Sequence, residues 1–452
     1  MSRPRAVITG AGVVCAFGVG RERLFDALAA GESAIGPIRC FDAATFPTRV
    51  AGQVPVDRVD AGWLLRQAEP VLDRGDGERG DRSEREAESA RLLQRLRELA
   101  PVWAEAGRLR DRKAGFALLA GLEAWRQAGC GAPERGAWLC PALGLEQALL
   151  DDFAGMFDGG GIRWEREPAC ALPATRFRAQ VDLAAALTRE LFELTGPQLV
   201  HTSACAAGAL SVAHAASLIE RGGADVVLCG GADAMVNPLG LGGMSRLGAP
   251  SPRPNADACR PFDLRRDGLA MGEGAALFVV EAEDRARARG VRPLARVAGW
   301  GSSQDAFKAT APRPDGAAAA RAMRAALAHA GLAPDQIGYI NAHGTGTPLN
   351  DPAEARAIHL ALGPVGARVP VSSIKGAVGH LMAASGAIEL AACLLCFERD
   401  LLPGTAHHQD RDPAIGLDVI GPAPRPARVD AVLSNSFGFG GQNATVVLER
   451  WP

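Results

Sequence analysis

Short apolar runs alternate with Ala-rich amphipathic runs along this 452-residue chain, and the alternation starts over near residue 294. In the first half, strand-like runs fall at residues 5–12, 137–140, 224–231 and 275–281. Helical periodicity falls at 20–30, 113–128 and 181–194. In the second half, strands are read at 294–300, 337–342, 369–373, 429–435 and 444–449, and helices at 316–330, 353–362 and 386–398. Helices interleaved with strands must pack on sheet faces. The pattern therefore predicts an α/β fold built from a duplicated unit, residues 1–285 and residues 286–452. The duplication lies in the pattern; the residues of the two halves are little alike.

One junction in the first half carries candidate chemistry. A strand entry at Pro197-Gln198-Leu199-Val200 leads into His201-Thr202-Ser203-Ala204-Cys205-Ala206-Ala207-Gly208, and a helix follows to Glu220. Cys205 then sits at a strand-to-helix turn, ringed by small residues that let a substrate approach. This is the local plan of a nucleophile elbow. The positive end of the helix dipole there is expected to favour the thiolate. A buried structural cysteine in a small-residue turn is the competing reading of this stretch alone.

Composition narrows the function classes. A hydrophobic share of 48%, a charged share of 22% and a net charge of −2 describe an ordinary globular chain. Such a balance argues against bulk nucleic-acid binding. No apolar run reaches the length of a membrane span, and the one at the N-terminus is too short for a signal peptide. A cytoplasmic protein with reduced thiols is the expectation. Cys393 and Cys396 form a CxxC, but within an apolar helix and without a second pair, so they read as helix core. Gly10-Ala11-Gly12 after the first strand lacks the third glycine and the acidic residue of a dinucleotide site.

Residues 54–106 do not fit the alternation. The stretch 73–88 is dense in mixed charge and reads as a solvated loop. Ser83-Glu84-Arg85-Glu86 has a capping-box pattern. Leu92, Leu93, Leu96 and Leu99 then recur at helical spacing. The helix either packs on its own domain or serves a partner.

Three second-half loops each follow a strand and carry polar residues. They are Asn341-Ala342-His343-Gly344-Thr345-Gly346-Thr347-Pro348-Leu349-Asn350-Asp351, Ser372-Ser373-Ile374-Lys375-Gly376-Ala377-Val378-Gly379-His380-Leu381, and Ser434-Asn435-Ser436-Phe437-Gly438-Phe439-Gly440-Gly441-Gln442-Asn443. Ligands of open α/β sheets bind beyond the carboxyl ends of strands, so these loops and Cys205 can converge. A cysteine with two histidines and a lysine is a working set for nucleophilic acyl chemistry.

These four motifs, in this order, resemble the β-ketoacyl-ACP synthases of the thiolase fold, the dissociated condensing enzymes of bacterial fatty acid and polyketide synthesis. The resemblance covers the chain apart from residues 72–106, an insertion by family standards. It implies a thiolase-like five-layer α-β-α-β-α architecture, with the nucleophile in the N-terminal half and the His/Lys/His loops in the C-terminal half. Cys205 would take the acyl group from an acyl carrier protein. His343 and His380 would bind a malonyl thioester and stabilise its enolate. Lys375 would orient His380, and Glu389 would be the buried supporting acid. The backbone N–H groups of Cys205 and Phe439 would form the oxyanion hole. Phe437 and Phe439 would gate the acyl pocket, Met244 would line it, and Thr310, Thr345 and Thr347 would hold the phosphopantetheine arm. No metal and no redox cofactor is implied. A dimer is implied, either with itself or with a chain-length-factor-like subunit.

Departures from the family pattern are Cys140-Pro141-Ala142 in place of a Gly-rich turn, a long stretch at residues 173–195, Gln442 where Thr is common, and the insertion. They bear on acyl length, dimer contacts and carrier protein, and they favour a specialised polyketide or polyene pathway over housekeeping fatty acid synthesis. A non-catalytic chain-length-factor-like partner is the alternative, opposed by the complete Cys205, His343, Lys375 and His380 set. Thiolases and starter-type enzymes use Cys-His-Cys or Cys-His-Asn sets instead.

Overall fold

The first strand, β1 (Ala6–Cys15), is buried along its whole length and joins the two halves of the protein. This computed structural model describes residues 4–73, 82–131, 136–145, 157–158, 161–162 and 182–452. The remaining first-half strands of the main sheet are β2 (Trp138–Leu143), β3 (Val226–Asp233) and β4 (Gly274–Ala282). The second half supplies β5 (Ala295–Gln304), β6 (Tyr339–Asn341), β7 (Pro370–Ser372), β8 (Asp418–Val419), β9 (Ala431–Gly438) and β10 (Gln442–Arg450). Their order is β8-β7-β6-β9-β10-β5-β1-β4-β3-β2. The halves meet where β1 pairs antiparallel with β5, through Val7↔Arg296 and Ile8↔Ala295.

Ten principal helices cover and divide this sheet. They are α1 (Arg21–Ala30), α2 (Ala61–Asp73), α3 (Arg82–Glu105), α4 (Arg112–Ala128), α5 (Leu183–Phe192), α6 (Ala207–Glu220), α7 (Pro238–Arg246), α8 (Ala317–Ala330), α9 (Asn350–Leu362) and α10 (Ser385–Glu398). Helices α6 and α10 form the central layer, packed on each other and on strands of both halves. Helix α4 covers the outer face of β1 and β4, and α8 covers the outer face of β5 and β10. The result is the expected five-layer α/β architecture of the thiolase fold.

Small residues make this layering possible. A side chain at Gly208 of α6 would come within 2.6 Å of the Ala387 backbone nitrogen of α10, and one at Gly386 within 2.6 Å of the Ala209 nitrogen. The two central helices therefore touch backbone to backbone. The same principle explains Gly10-Ala11-Gly12, which lie inside β1 and continue it to Cys15. A Cβ at Gly10 would meet the Ala124 carbonyl oxygen at 1.9 Å, and one at Gly12 the Ala120 oxygen at 2.0 Å. The glycines let α4 lie directly on the strand.

The odd stretch forms a helical layer on the first half. Helix α3 buries Leu92, Leu96, Ala100 and Trp103 against α2, α4 and α5. Each large side chain so buried contributes roughly 1.5–3 kcal/mol. The helix thus packs on its own domain. It also begins earlier than expected, at Arg82, so the charged run is helical before Glu88. Arg91 helps hold it there, bonded to Glu88 at 2.8 Å and to Glu193 at 2.7 Å. Residues 74–81 of the expected loop, Gly159 and Gly160, and residues 173–181 lie outside the described residues. No described helix is long and apolar enough to cross a membrane. Cys393 and Cys396 are buried in α10, as helix core.

Candidate active site

The nucleophile turn is tight. Ala204 takes a left-handed φ of 47° and opens a 3₁₀ turn over Ala204–Ala206, from which α6 continues at Ala207. Cys205 is 2% exposed. Strand β9 runs past it closely: a Cβ at Gly438 would lie 3.1 Å from the Cys205 nitrogen. The next residue, Phe439, directs its backbone N–H at the thiol. Burial pushes the Cys205 thiol up to about 11, against the downward pulls of the Lys375 ammonium and the Phe439 N–H. The helix-dipole expectation is thus overridden, because desolvation wins.

His343 follows β6 and is buried. Its backbone N–H and that of Gly344 both donate to the Glu354 carboxylate at 2.8 Å. Glu354 also accepts from Asn435 Nδ2 at 3.2 Å, tying the His343 loop to β9. The Lys375 ammonium donates to the His343 carbonyl at 2.6 Å and lies 3.3 Å from its Nδ1. An ammonium can only donate, so Nδ1 is the acceptor and the ring proton sits on Nε2.

His380 is fixed differently. The Met382 N–H donates to its Nδ1 at 3.1 Å, and the Ser385 hydroxyl lies 2.7 Å from the same nitrogen. Its proton too is therefore on Nε2. The two rings stand edge to face, 5.4 Å apart at 82°, and the Phe437 ring lies 5.8 Å from that of His343. Burial, then the Lys375 charge, hold both imidazoles well below the ordinary histidine range. Two neutral rings, packed against each other, each keep an Nε2–H donor.

Lys375 makes its hydrogen bonds to His343 and to the Glu389 carboxylate of α10, rather than to His380. It therefore orients His343, and Ser385 takes the corresponding place at His380. Burial pushes the Glu389 carboxyl up to about 7 against the pull of Lys375.

Cys205, Met244 and Phe439 share one apolar cluster with Val236, Leu241, Leu269, Met271 and Met382. Its Met and Leu side chains can accommodate an aliphatic chain. Thr345 and Thr347 are hydrogen bonded to each other at 2.9 Å, and Thr347 also accepts from the Asn350 N–H at 3.2 Å, capping α9. Thr310 is exposed. Its neighbour Ala309 accepts from the Gly440 N–H at 2.6 Å, joining that loop to the turn after β9.

Sequence reading missed Glu354 and Ser385, and it places Asp351 and Asn435 in the candidate loops without assigning them a role. Asp351 accepts from the N–H groups of Phe262 at 2.7 Å and Gly346 at 3.2 Å, pinning two loops at the site. The signal was an acid pair three residues apart at the start of α9. Acids at a helix start have a sufficient local explanation in the dipole.

Comparison with known proteins agrees with this geometry. Residues 4–286 match the Beta-ketoacyl synthase, N-terminal domain family, and residues 294–409 match the Beta-ketoacyl synthase, C-terminal domain family. The 3-oxoacyl-[acyl-carrier-protein] synthase 2 of Coxiella burnetii is 33% identical over 100% of this chain and 99% of its own. The tetracenomycin polyketide synthase ketoacyl synthase alpha subunit of Streptomyces glaucescens is 34% identical over 99% of this chain and 97% of its own. Among solved structures, the ishigamide ketosynthase/chain length factor aligns with a TM-score of 0.80 at 30% identity, over 100% of both chains. A beta-ketoacyl synthase from Burkholderia phymatum aligns with a TM-score of 0.78 at 28% identity, over 99% of this chain and 100% of that one. With both family domains matched in order around a buried thiol and two donor imidazoles, the chain belongs to the beta-ketoacyl synthase family of condensing acyltransferases.

Proposed function

We propose that the protein performs decarboxylative Claisen condensation on carrier-bound thioesters, with Cys205, His343 and His380 in contact with the reacting groups. The observation that carries this reading is the pair of neutral imidazoles, 5.4 Å apart and each with its proton on Nε2, held by the same Lys375 loop whose charge acts on the buried Cys205 thiol. Cys205 Sγ attacks the carbonyl carbon of an acyl thioester. The tetrahedral oxyanion is held by the N–H groups of Cys205 and Phe439. The carbon–sulfur bond to the carrier breaks, and the carrier thiol leaves with the proton from Cys205.

A malonyl thioester then places its carbonyl oxygen between His343 and His380. As the bond to the carboxylate breaks, its electron pair flows into an enolate stabilised by both Nε2–H donors, and carbon dioxide leaves. The enolate carbon attacks the acyl carbon on Cys205, the bond to Sγ breaks, and a 3-ketoacyl thioester forms. The thioester itself delocalises the charge, so the chemistry calls for no redox group and no catalytic metal.

In this reading Phe437 and Phe439 gate the pocket, Met244 lines it, and Thr310, Thr345 and Thr347 face the phosphopantetheine arm. The substrates arrive on an acyl carrier protein, and the protein works as a dimer in the cytoplasm. Similarity to a polyketide alpha subunit and to a ketosynthase/chain length factor supports polyketide or polyene synthesis, with a second, chain-length-setting subunit as the partner to look for. The complete nucleophile set supports the catalytic role for this chain in such a pair.

Intact-mass spectrometry with a panel of acyl carrier proteins tests the reading. A mass gain confined to Cys205, absent in Cys205→Ala and chased by malonyl carrier protein into a ketoacyl product, is expected. A folded sample that takes no acyl group from any donor, alone or with a candidate partner subunit, would overturn it.

A further inference from the structure

Outside the condensing site, one group of side chains has the chemistry of a metal centre. The Cys140 sulfur and the ring nitrogens of His201 and His214 lie within 4.8 Å of one another. Among the described residues this is the only set of three His, Cys, Asp or Glu side chains so placed.

Three separate elements hold the set. Cys140 is buried in β2, opposite Cys229 of β3. Its carbonyl accepts from the Ser211 hydroxyl, whose oxygen in turn accepts from the Gly230 N–H at 2.8 Å. Ser211 lies one turn before His214 on α6. His201 belongs to the segment entering the nucleophile turn. Its N–H donates to Pro141 at 2.9 Å, and its carbonyl accepts from the Leu143 N–H at 3.1 Å. The backbones are fixed, and only one thiol and two rings are left to turn.

Among the described residues, His201 Nε2 is buried with no hydrogen-bond partner. Such an orphan is costly unless something binds it. The two rings meet edge to face at 5.3 Å. The rings are half-buried while Cys140 is fully buried, so the cluster opens on its histidine side.

We propose that Cys140, His201 and His214 form a Cys-His-His site for a divalent ion of the zinc class, with one position left for water. A thiolate with two neutral imidazoles is a donor set that tetrahedral zinc favours. Zinc bond lengths of about 2.0–2.3 Å bring ligand atoms to roughly 3.5 Å from one another, so the thiol and rings turn inward by about an ångström on binding. The Cys140 thiol proton leaves to solvent as the metal–sulfur bond forms. The ion would clasp β2, α6 and the segment that leads to Cys205, apart from the condensation itself.

Cobalt substitution tests this on the full chain, reduced and stripped with chelator. The expected spectrum has the strong visible bands of tetrahedral cobalt and a near-ultraviolet thiolate charge-transfer band, saturating at one ion per chain and bleached by added zinc. Cys140→Ser should remove the charge-transfer band. His214→Ala, at a half-buried helix position, should weaken binding roughly tenfold or more while circular dichroism stays native. Cys205→Ala should keep the full spectrum, which separates this site from the nucleophile. Folded wild-type protein without the charge-transfer band overturns the proposal. So does a band that survives Cys140→Ser.

Discussion

The Lys375 ammonium lies 2.6 Å from the His343 carbonyl oxygen and 3.3 Å from the Nδ1 of the same residue. One buried cation thus fixes both the loop and the tautomer of the ring. Lys375→Met would remove that charge and strand the Glu389 carboxyl, whose second oxygen, Oε2, already lacks a hydrogen-bond partner. Breaking a buried pair costs about 3–5 kcal/mol. A clear fall in melting temperature and a loss of condensation are expected. Adding Glu389→Gln should restore much of the stability and none of the activity. A single variant that melts like wild type sinks this account.

The two histidines are expected to act after acylation. His343→Ala and His380→Ala should each leave acyl transfer to Cys205 within a few-fold of wild type. Each should slow carbon dioxide release from malonyl carrier protein by about 10²–10³, the loss typical of one oxyanion donor. Single-turnover acylation measured beside carbon dioxide release makes the distinction. Equal losses in both steps would contradict the assignment.

The thiol offers a pH test. At about 11 against an ordinary 9.0, roughly one Cys205 in 10⁴ is ionised at pH 7. Alkylation by iodoacetamide should therefore climb about tenfold per pH unit from 7 to 10 without levelling. A plateau near neutrality would show that the helix and Lys375 outweigh burial after all.

Stability should fall as pH rises above 6.5. Burial raises Asp233, Glu273, Glu354 and Glu389 to about 7. The folded state therefore holds protons that the unfolded chain has released by pH 5–6, and this stabilisation is lost as pH passes through 7. His343 and His380, depressed in the folded state, work the other way, but only up to about 6.5. Thermal melts at pH 6.5 and 8.5 should show the higher melting temperature at 6.5. The opposite order would mean that these carboxyls are ionised throughout.

Gly12→Ala should prevent α4 from seating on β1, because the new methyl would lie 2.0 Å from the Ala120 oxygen. The variant is expected to be insoluble or strongly destabilised, as judged by soluble yield and melting temperature. A native-like melt would show that α4 does not need the bare backbone of Gly12 to seat on β1.

That glycine pair shows where the sequence was readable. Strands and helices with clear periodicity were found within a few residues, because one-sided burial writes itself into spacing. Helix α2 was missed: Pro70 interrupts it, and its partner surface on α3 comes from the insertion. The close packing of β1 on α4 is a contact between distant segments, so a glycine serving it looks like a glycine serving a turn. At the site, Cys205, His343, Lys375 and His380 stood out because motifs surround them. Glu354 and Ser385 did not, since each sits in an ordinary helical context and acts only through a neighbour brought close by folding. The Lys375–His343 pairing was misassigned to His380 for the same reason: loop order in sequence does not say which ring a lysine reaches.

Ala204 shows what a working turn demands of its protein. An L-residue held at a φ of 47° is about 1–2 kcal/mol less comfortable than in an ordinary conformation. Glycine there would relax the backbone. Selection for heat resistance alone should therefore enrich Ala204→Gly, and those survivors should carry a thiol that wanders from the Phe439 N–H. A library sorted for heat tolerance and then for turnover would find the two rankings opposed at this residue.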